Sequence, residues 1–140
     1  YATTPMGADH TTGVTTRAPL DQLDPNVWMD YSRNLQVRIA AIDTLGLCMF
    51  ITTAGPKIPG LVVEMFNGIY GTDYGPEFIE TIGKDVILTE KEFNTKAGFN
   101  EADDRMPEFM REEPFPPHNT VSDIPQEHYD RFWESSFWGK

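Results

Sequence analysis

Asp24-Pro25-Asn26-Val27-Trp28 opens the stretch that decides the fold, and Ile42-Asp43-Thr44-Leu45-Gly46 closes it. An aspartate at a helix N-cap accepts a hydrogen bond from one of the free N–H groups, and a proline at the first helical position sacrifices none. From there Trp28, Tyr31, Leu35, Ile39 and Ile42 recur at spacings of three and four, which is one face of an amphipathic helix. Gly46 is a natural stop or kink. A helix is therefore expected over residues 25–45. The run Leu47 to Thr53 is apolar and partly β-branched, and periodicity leaves it open between helix and extended chain.

Downstream, Ala54-Gly55-Pro56-Lys57-Ile58-Pro59 is a break. A second helix is expected over residues 60–70, with Leu61, Val62, Met65, Phe66 and Ile69 on one face and Gly71 as its C-cap. Gly75-Pro76 opens a third, over residues 76–97. Its positions Phe78, Ile79, Ile82, Val86, Phe93 and Ala97 fit the helical period with one gap near Thr89-Glu90. Between Gly98 and Asp123 the proline density forbids a long helix. The expectation there is a long ordered loop laid across the domain and anchored by Phe109, Met110 and Phe115. Ser122-Asp123-Ile124-Pro125 then starts a last helix, over residues 124–135, carrying Tyr129, Phe132 and Trp133. Residues 1–23, rich in Thr, Gly and Pro, read as loop or extended chain. The pattern is all-α and multihelical, with a proline-rich wrap, in one domain over residues 1–140.

Composition narrows the function classes. Against 11 basic residues stand 22 acidic ones, a net charge of −11. That argues against a nucleic-acid partner and against adhesion to an anionic membrane. The longest apolar run, Leu45 to Ile51, is too short to span a bilayer. With one cysteine and no secretory pattern, a reducing, cytoplasmic setting is expected. Tyr1-Ala2-Thr3-Thr4-Pro5 has neither an initiator methionine nor targeting character, so the chain is expected to begin inside a longer protein.

The familiar catalytic signatures are missing: no glycine-rich phosphate loop, no paired cysteines, no His-Glu-x-x-His and no serine nucleophile elbow. Taken alone, Cys48 reads as a small buried hydrophobe, Asp43 as a locally bonded helix-end residue, and His10 as a solvated loop histidine. Together Asp43 and Cys48 say more. A thiolate is a soft donor for iron, and a carboxylate accepts from the N–H groups of a heterocycle such as a pterin. Gly46 between them lets backbone approach a flat ring closely. His118 and His128 read as surface or packing residues, and Asp103, Asp104, Glu112 and Glu113 as solvated.

Asp43-x-x-Gly46-Leu47-Cys48 resembles the second pterin-binding motif of the tungsten-dependent aldehyde ferredoxin oxidoreductases. Three further segments are similar to that family in the same order. Tyr1 to His10 looks like the segment ending in an active-site histidine. Glu92-Phe93-Asn94-Thr95-Lys96-Ala97-Gly98-Phe99 looks like a Phe-Asn-x-x-x-Gly-Phe turn, and Asp103-Asp104-Arg105-Met106-Pro107 like an Asp-Asp-x-x-Pro element.

The resemblance implies the helical C-terminal part of such an enzyme, with β-rich N-terminal and middle domains absent. It implies a tungsten (or molybdenum) bis-pterin contacted by Asp43, Gly46, Leu47, Cys48 and Met49. It also implies a 4Fe-4S cluster with Cys48 as one metal ligand, and His10 as a catalytic proton carrier. The implied reaction is oxidation of an aldehyde to a carboxylic acid, with electrons passing through the cluster to ferredoxin or another carrier. A relative reducing an aromatic acyl thioester, or a stand-alone helical interaction domain with a structural cysteine, are the alternatives. One thiolate cannot hold a four-cysteine cluster, so these residues alone are expected to be inactive and to bind neither cluster nor tungstopterin. An exposed apolar patch facing the rest of the enzyme is expected, with residues 1–18 loosely held and self-association into a homo-oligomer.

Overall fold

Asp24 accepts from the Asn26 N–H at 2.9 Å and begins helix α1, Pro25–Thr44. In this computed structural model the described residues are 2–13, 15, 18, 21, 24–54 and 57–139. Tyr1, Val14, Thr16 and the Gly55-Pro56 break, on which expectations were placed, lie outside them. A 3₁₀ turn follows at Met49–Ala54, which resolves the ambiguous run in favour of helix-like chain. Then come α2, Ile58–Tyr70, and α3, Phe78–Lys96. After a 3₁₀ turn at Glu101–Asp103 the chain forms α4, Glu108–Glu112, and α5, Gln126–Asp130. A 3₁₀ turn at Arg131–Trp133 leads into α6, Ser135–Trp138. The fold is all-α. Among the described residues no strand forms, and the one isolated bridge pairs Phe115 with Thr120. Within them no helix is long and apolar enough to cross a membrane.

Helix α1 is central and is buried on more than the expected stripe. Ile39 and Ile42 are buried, but Trp28, Tyr31 and Leu35 are only half-buried, while Met29, Arg33, Gln36, Val37, Ala40 and Ala41 lie inside. The reason is packing on two sides. Met29, Val37 and Ala40 meet Ile87 of α3 and Tyr129, Phe132 and Trp138 of the C-terminal segment. Ala41 meets Val63 of α2 with Phe78 and Ile79 of α3. Helices α1 and α3 touch closely: a Cβ on Gly83 would collide with the Val37 carbonyl oxygen.

Several expectations need correction. In α3 the inward line runs Ile79, Gly83, Ile87, Glu90 and Asn94, none of them fully exposed, whereas Phe93 is 72% exposed and Ala97 lies in solvent. In α2 only Val62, Val63 and Phe66 turn inward. Leu61, Met65 and Ile69 form an outward stripe, with Ile69 73% exposed. This is an exposed apolar face of the kind expected. The last helix does not run through to residue 135. At Glu134 the backbone turns extended, and Trp138 folds back to donate its indole N–H to the Phe132 carbonyl at 2.8 Å. A straight helix would put those residues about 9 Å apart along its axis, and Trp138 would leave the core.

The proline-rich wrap is also more structured than a loop. Asn100 and Asp103 form a reciprocal capping box, and Pro107 precedes α4, where its missing N–H is harmless. Phe109 and Phe115 pair with each other at 6.2 Å and stay exposed, so they are not its anchors. The wrap is held instead by Asp104, which accepts the Trp133 indole N–H at 2.7 Å, by Met106 against the core, and by Ser122 donating to the Met110 carbonyl at 2.8 Å. Residues 2–13 are not loose either: Thr3, Thr4 and Thr12 are buried, and Asn94 donates to the Pro5 carbonyl at 2.6 Å.

Gly83→Ala tests the central crossing. The alanine gains about 1 kcal/mol of helix propensity, but its methyl meets backbone that cannot rotate away, at a typical overpacking cost of about 1–3 kcal/mol or more. The expected outcome is a net loss of about 2 kcal/mol in urea unfolding, with helical circular dichroism retained.

Candidate functional site

The Asp43-to-Cys48 stretch is first of all a helix terminus. Leu47 N–H reaches the Ile42 carbonyl at 3.0 Å and Gly46 N–H the Asp43 carbonyl at 2.9 Å, the two bonds of a Schellman cap. Gly46 has φ 71°, a left-handed conformation that residues with side chains rarely adopt, and its Cβ position faces open space. A flat group could therefore lie directly on this backbone. Asp43 projects from the last turn of α1, where the helix dipole disfavours an anion by about 0.3–1 kcal/mol, and no basic residue occupies that turn. Cys48 is a free, exposed thiol, which removes the reading of it as a buried hydrophobe. Leu47 and Met49 are half-buried.

The N-terminal segment supplies the second part. The Asp9 carboxylate accepts from Thr12 N–H at 2.7 Å, Thr11 Oγ1 at 2.5 Å and Thr12 Oγ1 at 2.7 Å. Burial acts to raise the Asp9 carboxyl, but these hydrogen bonds outweigh it and hold the group well below the usual carboxylate range. The clasp fixes the turn that presents His10, which is exposed. His10 lines a cleft of about 1200 Å³ together with Met6, Lys91, Asn94, Phe99 and Trp133. Within it Lys91 stands 4.0 Å above the Trp133 ring and pairs with Glu101 at 2.9 Å.

Asp43 opens onto a smaller cavity of about 290 Å³, whose lining includes Gln36, Thr12, Thr44 and Glu90. Pro5 and Met6 line both cavities, so His10 and Asp43 sit on neighbouring hollows with a shared wall. Cys48 lines neither. Asp43 is raised from its ordinary carboxyl value by burial and by the charge of Asp9, and Glu90 by burial and by the charge of Asp43. Among the described residues no cluster of three or more His, Cys, Asp or Glu is arranged to hold a metal ion.

Sequence reasoning missed four polar residues here. Asp9 had a visible signal, because an aspartate followed by Thr11 and Thr12 is a turn-capping pattern. Glu90 also had one: the gap noted in the α3 stripe is where this carboxylate replaces an apolar residue on the inward line. Gln36 had none, since a lone glutamine on a helix is ordinarily solvated. Asp104 was read as solvated and is half-buried, its carboxyl raised by burial and held back by the Trp133 hydrogen bond. His118 is exposed and His128 half-buried, in line with surface and packing roles.

Comparison with known proteins gives a consistent result. The sequence profile described as aldehyde ferredoxin oxidoreductase, domains 2 and 3, matches residues 1–140. A tungsten-containing aldehyde ferredoxin oxidoreductase of Pyrococcus furiosus is 38% identical over 78 residues, which cover 55% of this chain and 13% of that protein. The protein of the same description from Thermococcus kodakarensis matches with the same identity and coverage. The match thus spans about an eighth of the length of either relative, by their printed 13%. No solved structure matches the chain.

Glu90→Gln tests the electrostatics of the smaller cavity. A carboxyl raised in the folded state binds its proton more tightly folded than unfolded, so stability falls as pH climbs above the ordinary value of 4.5. The glutamine variant should match the parent in acid and unfold at higher urea than the parent at neutral pH. A parent that is the more stable at neutral pH would show that Glu90 is favourably solvated or paired.

Proposed function

The chain belongs to the aldehyde ferredoxin oxidoreductase family, and from that premise we propose that it is the helical, cofactor-facing part of a tungsten (or molybdenum) pterin oxidoreductase. When bound, the bis-pterin metal group supplies the two-electron oxidation of an aldehyde with water to a carboxylic acid, with electrons leaving through a 4Fe-4S cluster to ferredoxin or a similar carrier. The single observation that carries the reading is the cap at Gly46. It places a carboxylate before, and an exposed thiol after, a single left-handed glycine with open space at its Cβ position.

The residues fit that group. Asp43 offers oxygens to a donor-rich ring, and beside it the buried Gln36 Oε1 has no partner. Leu47 and Met49 flank the cap. Cys48, free and exposed, is the one thiolate this chain can give to a cluster, so the other ligands come from outside it. A reducing, cytoplasmic setting keeps such a thiol available. His10, on its clasped turn lining the large cleft, is read as the group that takes or gives the proton accompanying aldehyde oxidation. The outward stripe Leu61, Met65 and Ile69 is the face against which the remaining domains of the enzyme, or a second copy, would pack.

Three substitutions in the full-length enzyme separate these roles. Cys48→Ala should lose cluster iron while pterin remains. Asp43→Ala removes charge-assisted hydrogen bonds worth about 1.5–3 kcal/mol and should lower pterin and tungsten occupancy together. His10→Ala should keep both metals and lower turnover, with a changed pH profile. Metal analysis and pH–rate curves check the set. Full cluster content and activity in Cys48→Ala would overturn the assignment of the motif.

A further inference from the structure

The run Phe93-Asn94-Thr95-Lys96-Ala97-Gly98-Phe99 ends α3, and the cap it forms accounts for only part of it. The Phe99 N–H returns to the Asn94 carbonyl at 3.0 Å, with Gly98 at φ 100°. Any residue offers a backbone carbonyl, so this closure leaves the Asn94 side chain unexplained. Asparagine is also a weaker helix former than alanine, by up to about 0.7 kcal/mol, so helix formation does not ask for it either.

The side chain reaches across to the N-terminal segment. Asn94 Nδ2 donates to the Pro5 carbonyl at 2.6 Å, a half-buried bond between residues 89 positions apart. The acceptor fixes the sense of the amide, since a carbonyl oxygen takes only a donor. From Pro5 the chain runs to His10 through short bonds of its own. The Gly7 N–H closes on the Thr4 carbonyl at 3.0 Å, and Thr4 Oγ1 donates to the Gly7 carbonyl, which also accepts the Asp9 N–H at 2.6 Å. The Asp9 carboxylate then holds Thr11 and Thr12, and the Gly13 N–H reaches the Asp9 carbonyl at 3.2 Å. His10 therefore stands in a turn that is tied within itself. Side-chain hydrogen bonds join this segment to α1, where Gln36 donates to Thr3 Oγ1 at 3.2 Å, and to α3, where Asn94 holds Pro5. The second tie is the one beside the cleft: Pro5, Met6, His10 and Asn94 all line it.

We propose that Asn94 is a positioning residue for His10: by holding the Pro5 carbonyl it sets where the His10 turn stands on the wall of the large cleft. The proposal rests on the reading of His10 as the proton carrier and adds α3 to that machinery. Proton transfer needs its partners within hydrogen-bond reach, and a misplacement of about 1 Å can cost about a hundredfold in rate. Loss of the Asn94 bond lets the turn shift without unfolding it, because the Asp9 clasp and the Gln36 bond remain. The amide itself neither carries the proton nor touches the reacting atoms.

The test uses the full-length enzyme. Asn94→Ala removes the donor, and Asn94→Gln keeps one on a longer arm. Asn94→Ala should lower kcat about tenfold and alter the same limb of the pH profile as His10→Ala, with tungsten, iron and circular dichroism unchanged. Asn94→Gln should recover part of the loss. Hydrogen exchange of the peptide that carries His10 should quicken in Asn94→Ala, a readout independent of turnover. The decisive measurement is the double variant. Combining His10→Ala with Asn94→Ala should give turnover no slower than His10→Ala alone, since a residue that acts through His10 has nothing left to act on. If His10→Ala loses turnover while Asn94→Ala keeps the parent's rate and pH profile, or if the two losses multiply in the double variant, the proposal is overturned and the role of His10 stands. Loss of metal or of helical signal in Asn94→Ala overturns it too, and shows the bond to be structural only. If neither single variant loses turnover, the reading of His10 fails with it.

Discussion

The close crossing of α1 and α3 at Gly83 is the constraint on which the rest of the structure depends. With no side chain there, α3 approaches until the glycine lies against the Val37 carbonyl. That approach brings the inward lines of the two helices together over several turns. It buries Val37, Ile39, Ile79 and Ile87, each worth about 1.5–3 kcal/mol of transfer from water. It also lets Phe132, fully buried, and Trp138 close one side. Arg33, buried beside them, salt-bridges Asp30, donates to the Arg131 carbonyl at 3.2 Å and lies 4.6 Å from the Phe137 ring centroid. The C-terminal segment is thus tied to the same crossing. Both carboxylates of the smaller cavity ride on these helices, so their juxtaposition follows from it too.

The glycines that end the three long helices, two of them in family-like motifs, have a local explanation. Gly46, Gly71 and Gly98 all have positive φ and all end a helix. At Gly98 the Phe99 N–H returns to the Asn94 carbonyl at 3.0 Å, the same closure that Leu47 makes to Ile42. The spacing Asn94-x-x-x-Gly98-Phe99 is therefore a cap, and so is the spacing from Asp43 to Leu47. The proposed function rests on residues that the cap does not need. No cap needs an aspartate in the last turn or a cysteine just beyond it.

Where apolar periodicity and terminus chemistry act, the sequence was legible. α1, α2 and α3 lie within two residues of expectation, because Asp24-Pro25, Gly71 and the three-and-four spacing act locally. The C-terminal segment was not legible in the same way. Its break at Glu134 is set by Trp138 reaching Phe132, a tertiary demand that overrides a continuous helix. The outward turn of Leu61, Met65 and Ile69 was hidden because a stripe shows that a face is apolar without showing what covers it. The site was half legible. Asp43 and Cys48 stand out by residue type and position, whereas Glu90 and Gln36 matter only through the line they share with buried neighbours.

Local rules are obeyed in most of the chain, which makes the exceptions informative. Helix α3 has Glu80 in its first turn and Lys96 in its last, in keeping with its dipole, and pairs Lys84 with Glu80 and Lys96 with Glu92 one turn apart. Against that background three departures stand together: an anion at the C-terminal end of α1, a second carboxylate facing it from the inward line of α3, and a buried amide oxygen with no partner. Each is unfavourable alone, and all three belong to residues around one small cavity. Scattered departures would be ordinary imperfections of a core. Three around one small cavity mark the place where the fold departs furthest from its own local rules.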